Sequence, residues 1–290
     1  MTKGPRILIT NDDGVGAPGL EVALEIARAV SDDVNVLAPS GNQSGVGHRF
    51  SFGTELEIER RAPHVFAIDG TPADCVAVGM THPDLFGGLM PDIVLSGVNN
   101  GQNLGDIINC SGTLAGAREA AMQGALGVAM SQAVDYENGV DINWDCALAH
   151  GAAVLRALIA ETRRPGVYYN VNFPLGPAET VAGVRVVPHQ RFARSPIGYY
   201  PSRNAGKFFI AIPNPPVDLS PEADFHVLNR DRAITVTPLR LDQSDHGAVA
   251  GMQTRFVDAL GPVPAPKHDN AGERGGDAVR YKPDPSASTQ

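Results

Sequence analysis

An apolar segment, a helical pattern and a second apolar segment follow one another in the first forty residues, and this order constrains the fold more than any other feature. Residues 6–10 predict a short strand, and residues 34–38 predict a second one. Between them, apolar residues recur at helical spacing over about 18–30. A strand, a crossover helix and a second strand form a right-handed unit with parallel strands. The chain therefore begins as a β-α-β unit.

The same alternation continues to about residue 175 and predicts one large sheet. Further strands are expected at 50–60, 65–69, 92–96, 127–131 and 167–173, the first two as a hairpin extension. Helices are expected at 75–80, 113–124 and 144–161. Strands that alternate with helices are typical of an α/β fold with a doubly wound, mostly parallel sheet. We expect residues 1–185 to form this core.

The pattern changes after residue 185. Two strand-like segments, 199–202 and 207–212, flank Asn204-Ala-Gly206 and predict a β-hairpin, and a late strand is expected at 233–239. We expect 186–260 to be a hairpin appendage packed on the core, without a helix-rich domain. Residues 261–290 are rich in proline, glycine and charge, which predicts a disordered tail.

Composition excludes several classes of protein. With a net charge of −9, the 290-residue chain is not expected to bind a nucleic-acid duplex, whereas a small anionic substrate stays compatible if a metal reverses the local field. No apolar run is long enough to span a bilayer, so we expect a cytoplasmic protein that does not bind a membrane. Cys75, Cys110 and Cys146 form no CxxC pair, which favours small buried residues over disulfides or a zinc ribbon.

Two adjacent carboxylates, Asp12 and Asp13, directly follow the first strand. Like charges this close raise each other's pKa unless a cation lies between them. In an open α/β sheet, ligands bind in the crevice beyond the carboxyl ends of the strands. The pair therefore indicates a divalent metal site. The alternative is an ordinary Asx turn that caps the helix at 18–30.

Two more polar loops follow strands of the same expected sheet, and the three loops should meet at one edge. The second loop contains Ser44 within Asn42–His48, and the third contains Asn99 within Ser96–Gly105. Carboxylate, hydroxyl and amide oxygens suit Mg²⁺ or Mn²⁺ rather than structural zinc. Together, the three loops favour the metal interpretation.

A helix of small residues begins after Ser111-Gly112-Thr113. Unpaired N–H groups and the positive dipole end make a helix start suitable for an anion. The two hydroxyls add donors, and Gly112 lets an oxyanion approach the backbone. The alternative is a plain Ser/Thr N-cap. The P-loop motif and a GxGxxG after the first strand are both absent from the sequence. His48 lies in the second loop, where it faces either the site or solvent.

Taken together, these segments resemble the stationary-phase survival protein SurE family of metal-dependent nucleotidases. The matching stretches are Ile7–Gly14, Ala38-Pro39 with Gln43–His48, Gly70–Cys75, Ser96–Gly105 and Ser111–Thr113, with weaker matches at Asn170–Pro174 and Ile234–Leu239. The resemblance spans about residues 6–240. Five motifs in the same order make it more specific than any one of them.

The resemblance implies a Rossmann-like core and a phosphomonoesterase that hydrolyses nucleoside 5′- and 3′-monophosphates to nucleoside and phosphate. It implies one divalent ion per subunit, Mg²⁺ or Mn²⁺, held by Asp12, Asp13, Ser44 and Asn99. The phosphate would be held by Asn103, Ser111, Gly112 and Thr113. It also implies a homodimer or homotetramer formed partly by exchange of a hairpin, for which Tyr199–Ile212 is the candidate.

The mechanistic hypothesis is metal-assisted attack by water, in which Asp12 aligns water or metal and Asp13 ligates the metal. In a rival mechanism, Asp12 is a covalent nucleophile, as in phosphatases of the haloacid-dehalogenase type. The Asp-x-Asp spacing of those phosphatases is absent here. Two alternative functions stay open. One is a phosphatase that acts on short polyphosphate or other phosphomonoesters, and the other is a nucleotide-binding protein without turnover.

Overall fold

A computed structural model describes residues 4–135, 138–139, 141–212 and 219–261 of the chain. Within these ranges the strands are β1 (Ile7–Thr10), β2 (Val34–Pro39), β3 (Ile58–Ala62), β4 (Val65–Ile68), β5 (Ile93–Asn100), β6 (Leu126–Gln132), β7 (Val167–Phe173), β8 (Val184–Val186), β9 (Gly198–Pro201), β10 (Phe208–Ala211) and β11 (Ile234–Arg240). The α-helices are α1 (Pro18–Arg28), α2 (Pro72–Thr81), α3 (Gly112–Met122), α4 (Asp145–Ala160), α5 (Asp224–Asn229) and α6 (His246–Leu260). Short 3-10 helices lie at Leu85–Gly88, Gly105–Cys110 and Ala178–Thr180.

Nine strands form the main sheet, in the order β3-β4-β2-β1-β5-β6-β7-β11-β8. The six strands from β4 to β7 are all parallel, whereas β3 pairs antiparallel with β4 and β11 pairs antiparallel with β7. Strand order reverses between β1 and β5, which is the position where ligands bind in open α/β sheets. The expected mostly parallel, doubly wound α/β sheet is confirmed, and the first two polar loops follow β1 and β2.

Alternate residues of the buried strands face opposite layers of helix. Ile7 and Ile9 of β1 pack in the larger core cluster with α1 and α4, while Leu8 packs in a second cluster with α2. The same alternation gives β6 and β7 one apolar face and one face that carries Ala129, Asn170 and other polar or small residues. The polar face lies on the side of α3, and it supplies part of the candidate site.

Several sequence-based boundaries differ from the structure. Residues 50–57 are not a strand, and β3 begins only at Ile58. β5 continues to Asn100, four residues beyond the expected end. β8, α5 and α6 were not predicted, because three to six residues give too short a pattern and the sequence of α6 interrupts its apolar positions with glycine and polar residues.

The boundary expected at 185/186 falls inside the main sheet, since β8 and β11 both belong to it. The described residues divide into two units, the first ending at Asp242 and the second beginning at Gln243. The second unit is described as far as residue 261 and contains α6. The expected hairpin is present as the two-stranded antiparallel sheet of β9 and β10. The expected disordered tail lies outside the described residues, apart from Gly261.

Within the described ranges, no helix combines the length and the apolar character that a bilayer span requires. All three cysteines are free thiols. Cys75 and Cys146 are buried as expected, but Cys110 is exposed because it lies at the end of a 3-10 helix, just before α3.

Candidate active site

The turn after β1 is closed by Asn11 rather than by either aspartate. The Asn11 side chain accepts a hydrogen bond from the Gly14 N–H at 3.2 Å and donates one to the Gly14 carbonyl at 2.9 Å. The N-cap of α1 is Ala17, which makes no side-chain capping bond. The alternative interpretation of Asp12 and Asp13 as helix caps is therefore wrong, and both carboxylates are available for another role.

Asp12 is a buried carboxylate that faces the start of α3. It is 4 % exposed, and its Oδ1 accepts a hydrogen bond from the Thr113 hydroxyl at 2.7 Å. Burial raises the pKa of Asp12 from 3.8 to about 6; the Thr113 hydroxyl opposes this rise, and the charge of Asp13 adds to it. This position therefore holds more negative charge than its surroundings stabilise.

Asp13 faces the end of β5. Its Oδ2 accepts a hydrogen bond from the Asn100 N–H at 3.1 Å. Burial raises the pKa of this carboxyl as well, against the bond from Asn100. The amide nitrogen of the neighbouring Asn99 donates to the Gly101 carbonyl at 2.7 Å, which leaves the Asn99 oxygen as the atom suited to a cation. The first and third polar loops thus meet, as predicted.

The second polar loop is attached to the site at two points. The Gln43 N–H donates to the Asp12 carbonyl at 2.6 Å, and the Gly47 N–H donates to the Cys110 carbonyl at 3.0 Å. Ser44 is exposed and lies between these two points, and its own N–H donates to Asn42. The loop therefore crosses from the end of β1 to the start of α3, with Ser44 one residue from the contact with Asp12.

The first turn of α3 packs directly on Asp12. A Cβ atom at Gly112 would lie 2.7 Å from the Asp12 Cβ, so only glycine permits this approach. The Ser111 hydroxyl accepts a hydrogen bond from the Leu114 N–H at 3.1 Å, as an ordinary N-cap does. The Thr113 hydroxyl, in contrast, is directed at Asp12. Of the two hydroxyls, that of Thr113 is thus directly connected to the carboxylate.

Asn103 extends the same network towards β6 and β7. Its side-chain nitrogen donates to the Ser131 hydroxyl at 2.9 Å and lies 3.3 Å from the Thr113 hydroxyl. Its backbone is held by Asn170 and Asn172 of β7, whose amide nitrogens donate to the Asn103 carbonyl at 2.8 and 3.0 Å. Sequence analysis assigned no role to these two asparagines. Their signal is two amides two residues apart, on one face of an otherwise apolar buried strand.

His48 contacts Glu119 rather than Asp12 or Asp13. Its Nε2 lies 3.0 Å from Glu119 Oε2, on the second turn of α3. Glu119 is 3 % exposed; burial raises its pKa, but the hydrogen bonds from His48 and Gln123 and the attraction of His48 hold that pKa below its usual value. His48 therefore secures the end of the second loop on α3.

The residues chosen from the sequence fall into two connected groups. Asp12, Asn103, Gly112 and Thr113 contact one another through side chains or close packing, and Ser111 precedes them as the N-cap. In the second group, Asp13 accepts a hydrogen bond from Asn100, the neighbour of Asn99, and Ser44 follows Gln43, whose N–H donates to the Asp12 carbonyl.

The donor set fits a divalent cation by its chemistry. It consists of two carboxylates, a hydroxyl and an amide oxygen, which are ligands that Mg²⁺ and Mn²⁺ accept. No group of three or more His, Cys, Asp or Glu side chains suited to a metal occurs in the described part of the chain. A cation here would thus rely on two acidic ligands and on neutral oxygens. The raised pKa of the buried Asp12 is the electrostatic deficit that such a cation would remove.

Comparison with known proteins identifies the family. A family model described as "Survival protein SurE" matches residues 7–195. The chain belongs to the SurE family. The resemblance inferred from the motifs is thereby confirmed, and the matched segment includes all eight residues proposed for the metal and the phosphate.

Relatives in the SurE family match most of the chain. Proteins named "5'-nucleotidase SurE" from Methylorubrum populi and Azorhizobium caulinodans are 41 % and 40 % identical to it, each over 88 % of this chain and 99 % and 98 % of their own lengths. The crystal structure of the SurE protein from Aquifex aeolicus superposes with a TM-score of 0.73 at 28 % identity, covering 87 % of this chain and all of that one. The fold is therefore that of the SurE family.

Proposed function

We propose that this chain is a divalent-metal 5′/3′-nucleotidase, which hydrolyses nucleoside 5′- and 3′-monophosphates to nucleoside and phosphate. The observation that carries the proposal is the contact between the Asp12 carboxylate and Thr113 at the start of α3. A carboxylate beside an anion-binding helix start repels a phosphate unless a cation lies between them. The relatives named as 5′-nucleotidases support the 5′ activity.

One divalent ion per subunit, Mg²⁺ or Mn²⁺, would be held by Asp12, Asp13, Ser44 and Asn99. When bound, such an ion supplies Lewis acidity to the phosphoryl group and to water. The phosphate would be held by the backbone at Gly112 and by Asn103, Ser111 and Thr113, which stabilise negative charge on its oxygens. Asp12 aligns the attacking water, and the absence of an Asp-x-Asp spacing at this position supports this role over a covalent one.

We also propose that the protein is cytoplasmic and forms a homodimer or a homotetramer. The apolar side chains exposed on β9 and β10 support self-association, since a monomer rarely leaves such a cluster uncovered. Tyr199–Ile212 is the proposed contact segment.

The test is a panel of phosphate esters assayed with Mg²⁺, Mn²⁺ or a chelator. Nucleoside 5′- and 3′-monophosphates, glycerol phosphate and short polyphosphate are compared for the wild type, Asp12→Asn and the control Asp32→Asn, which changes an exposed acid. We expect metal-dependent phosphate release from the nucleotides, lost in Asp12→Asn and retained in Asp32→Asn. Release at the wild-type rate by Asp12→Asn would refute the assignment, and preferred cleavage of polyphosphate would change the substrate.

Rapid-quench trapping with labelled nucleotide separates the two mechanisms. We expect no phosphorylated protein at any time during turnover, because water is the nucleophile. A phosphate bonded to Asp12 would contradict water attack and would make Asp12 the covalent nucleophile.

A further inference from the structure

A cavity of about 450 Å³ lies beside Asp13, and neither the metal ligands nor the phosphate site accounts for it. It is bordered by the start of α1, the loops after β1 and β2, the end of β5 and the residues before α4. Its volume lies within the range of about 300–1,000 Å³ that is usual for small-molecule sites. Two other cavities, both of which include Leu158 and Tyr169, contain none of the predicted site residues.

The position of this cavity relative to the proposed phosphate site follows from the two adjacent aspartates. Asp12 contacts Thr113 at the start of α3, whereas Asp13 contacts Asn100 and lines the cavity. On the α3 side, Gly112 packs closely on Asp12, without room for a Cβ atom. A phosphate ester held at α3 therefore finds room for its organic part on the side of Asp13. This step rests on the proposed function.

The chemistry of the lining suits a flat, neutral, polar group. Trp144 and Ile142 form apolar walls, and Ser40, Asn42 and Asn100 add hydroxyl and amide groups. None of the described residues that line the cavity is Lys, Arg or His, so a second phosphate has no cation to bind. Nucleic-acid bases stack on aromatic side chains and form hydrogen bonds through their edges.

Trp144 is held in place before any ligand arrives. A Cβ atom at Gly19 would lie 2.9 Å from Trp144 Cη2, so the indole packs closely on the first turn of α1. The indole also contacts the larger core cluster while it lines the cavity. A fixed aromatic wall loses little conformational entropy when a base stacks on it.

We propose that this cavity binds the nucleoside of the substrate, with the base stacked on Trp144 and the phosphate at the start of α3. Trp144 is then a residue that determines the preference for nucleotides over other phosphate esters. Asn42 and Asn100 are the groups that meet the edges of the nucleoside.

The first experiment uses the metal-loaded wild-type protein, and it needs no variant. Trp144 is the only tryptophan in the sequence, so its fluorescence reports on this cavity alone. We expect adenosine to change the emission saturably, and inorganic phosphate to leave it unchanged. The proposal is overturned if adenosine inhibits nucleotide hydrolysis competitively but leaves the emission unchanged.

The second experiment compares KM and kcat for Trp144→Ala, Trp144→Phe and Leu148→Ala, the last being a partly exposed residue one turn further along α4. We expect Trp144→Ala to raise KM about tenfold for adenosine monophosphate, and not for glycerol phosphate, which has no base. Trp144→Phe should restore most of the affinity, and Leu148→Ala should resemble the wild type. An equal rise of KM for both esters would contradict the proposal.

The two experiments separate this inference from the proposed function. If the wild type releases phosphate from neither ester, the proposed function fails, and the adenosine titration still decides whether the cavity binds a nucleoside. If the wild type hydrolyses both esters and the emission does not respond to adenosine, only the inference about the cavity fails.

Discussion

The side chain of Asn172 holds the backbone of Asn103 by two hydrogen bonds, one with its N–H and one with its carbonyl. Its Oδ1 accepts from the Asn103 N–H at 2.8 Å, and its Nδ2 donates to the Asn103 carbonyl at 3.0 Å. Asn172 is completely buried. The side-chain amide of Asn103, which we assign to the phosphate site, is therefore positioned by β7, two strands away from β5 in the sheet.

Removing these two hydrogen bonds should lower the stability of the protein and weaken phosphate binding. In Asn172→Ala the Asn103 carbonyl keeps its bond from Asn170, but the N–H loses its partner, at an expected cost of about 1–3 kcal/mol. We expect KM for nucleotides to rise because the Asn103 amide is no longer fixed. Urea denaturation and steady-state kinetics measure the two effects. Asn204→Ala, at the exposed hairpin turn, is the control, and equal effects of the two substitutions would contradict this role.

The raised pKa of Asp12 predicts how the stability of the metal-free protein depends on pH. Burial raises this pKa from 3.8 to about 6, so between these values the folded state binds the proton more tightly than the unfolded state. The contribution of Asp12 to the free energy of unfolding should therefore fall as the pH rises from 4 to 6 and stay low above 6.

Asp12→Asn removes the buried charge and should reverse this loss. In chelator at pH 7.5 we expect the variant to be more stable than the wild type by about 3 kcal/mol, and at pH 4 to have no advantage. Urea titrations at the two pH values test this difference, with Asp32→Asn as an exposed control. A variant that is less stable than the wild type at pH 7.5 would show that the Asp12 charge is compensated within the protein.

A divalent cation should stabilise the folded protein through the same carboxylates. At a free Mn²⁺ concentration one hundred times Kd, ligand linkage adds about 2.7 kcal/mol to the free energy of unfolding. We expect thermal melting with Mn²⁺ to show this gain in the wild type and in Asp32→Asn, and to show little of it in Asp12→Asn or Asp13→Asn. A full gain in both site variants would place the cation elsewhere.

The strands and loops that frame the site could be predicted because each depends on local pattern. Apolar runs specify β1 and β6, and a polar loop after a parallel strand always reaches the same edge of the sheet. The pairing of Asn103 with Asn172 could not be predicted, because the two residues lie 69 positions apart and the path of the loop that contains Asn103 depends on tertiary packing. β5 was predicted too short because backbone pairing with β6 breaks after Ser96 and resumes at Asn99 and Asn100, in a segment whose glycine and asparagine content is typical of a loop.

The contact between His48 and Glu119 predicts a structural effect rather than loss of a catalytic acid. In His48→Ala the buried Glu119 keeps only the bond from Gln123, and we expect a loss of about 1–3 kcal/mol at pH 7. Because the contact lowers the pKa of Glu119, its stabilising effect is present above the unfolded pKa and disappears as the pH falls below it.

His48→Gln retains a donor and should recover part of this loss. Urea denaturation at pH 7 and below pH 4 measures the stability difference, and a pH–rate profile measures the chemistry. We expect the shape of the profile to be the same in wild type and His48→Gln. Loss of the alkaline limb in the variant would mean that His48 donates a proton during turnover.

The hairpin of β9 and β10 predicts how the protein assembles. Tyr199, Phe208 and Ile210 are 63 %, 58 % and 69 % exposed, and Ile210 pairs with Tyr199 across the two strands. Covering this apolar cluster is favourable, so we expect light scattering to show a dimer or tetramer for the wild type. Phe208→Asp with Ile210→Asp should give a monomer with an unchanged circular-dichroism spectrum. Phe52→Asp, at a site 86 % exposed outside the hairpin, should leave the mass unchanged. If the double variant keeps the wild-type mass, the subunits associate through another surface, because two buried carboxylates would not be tolerated in this one.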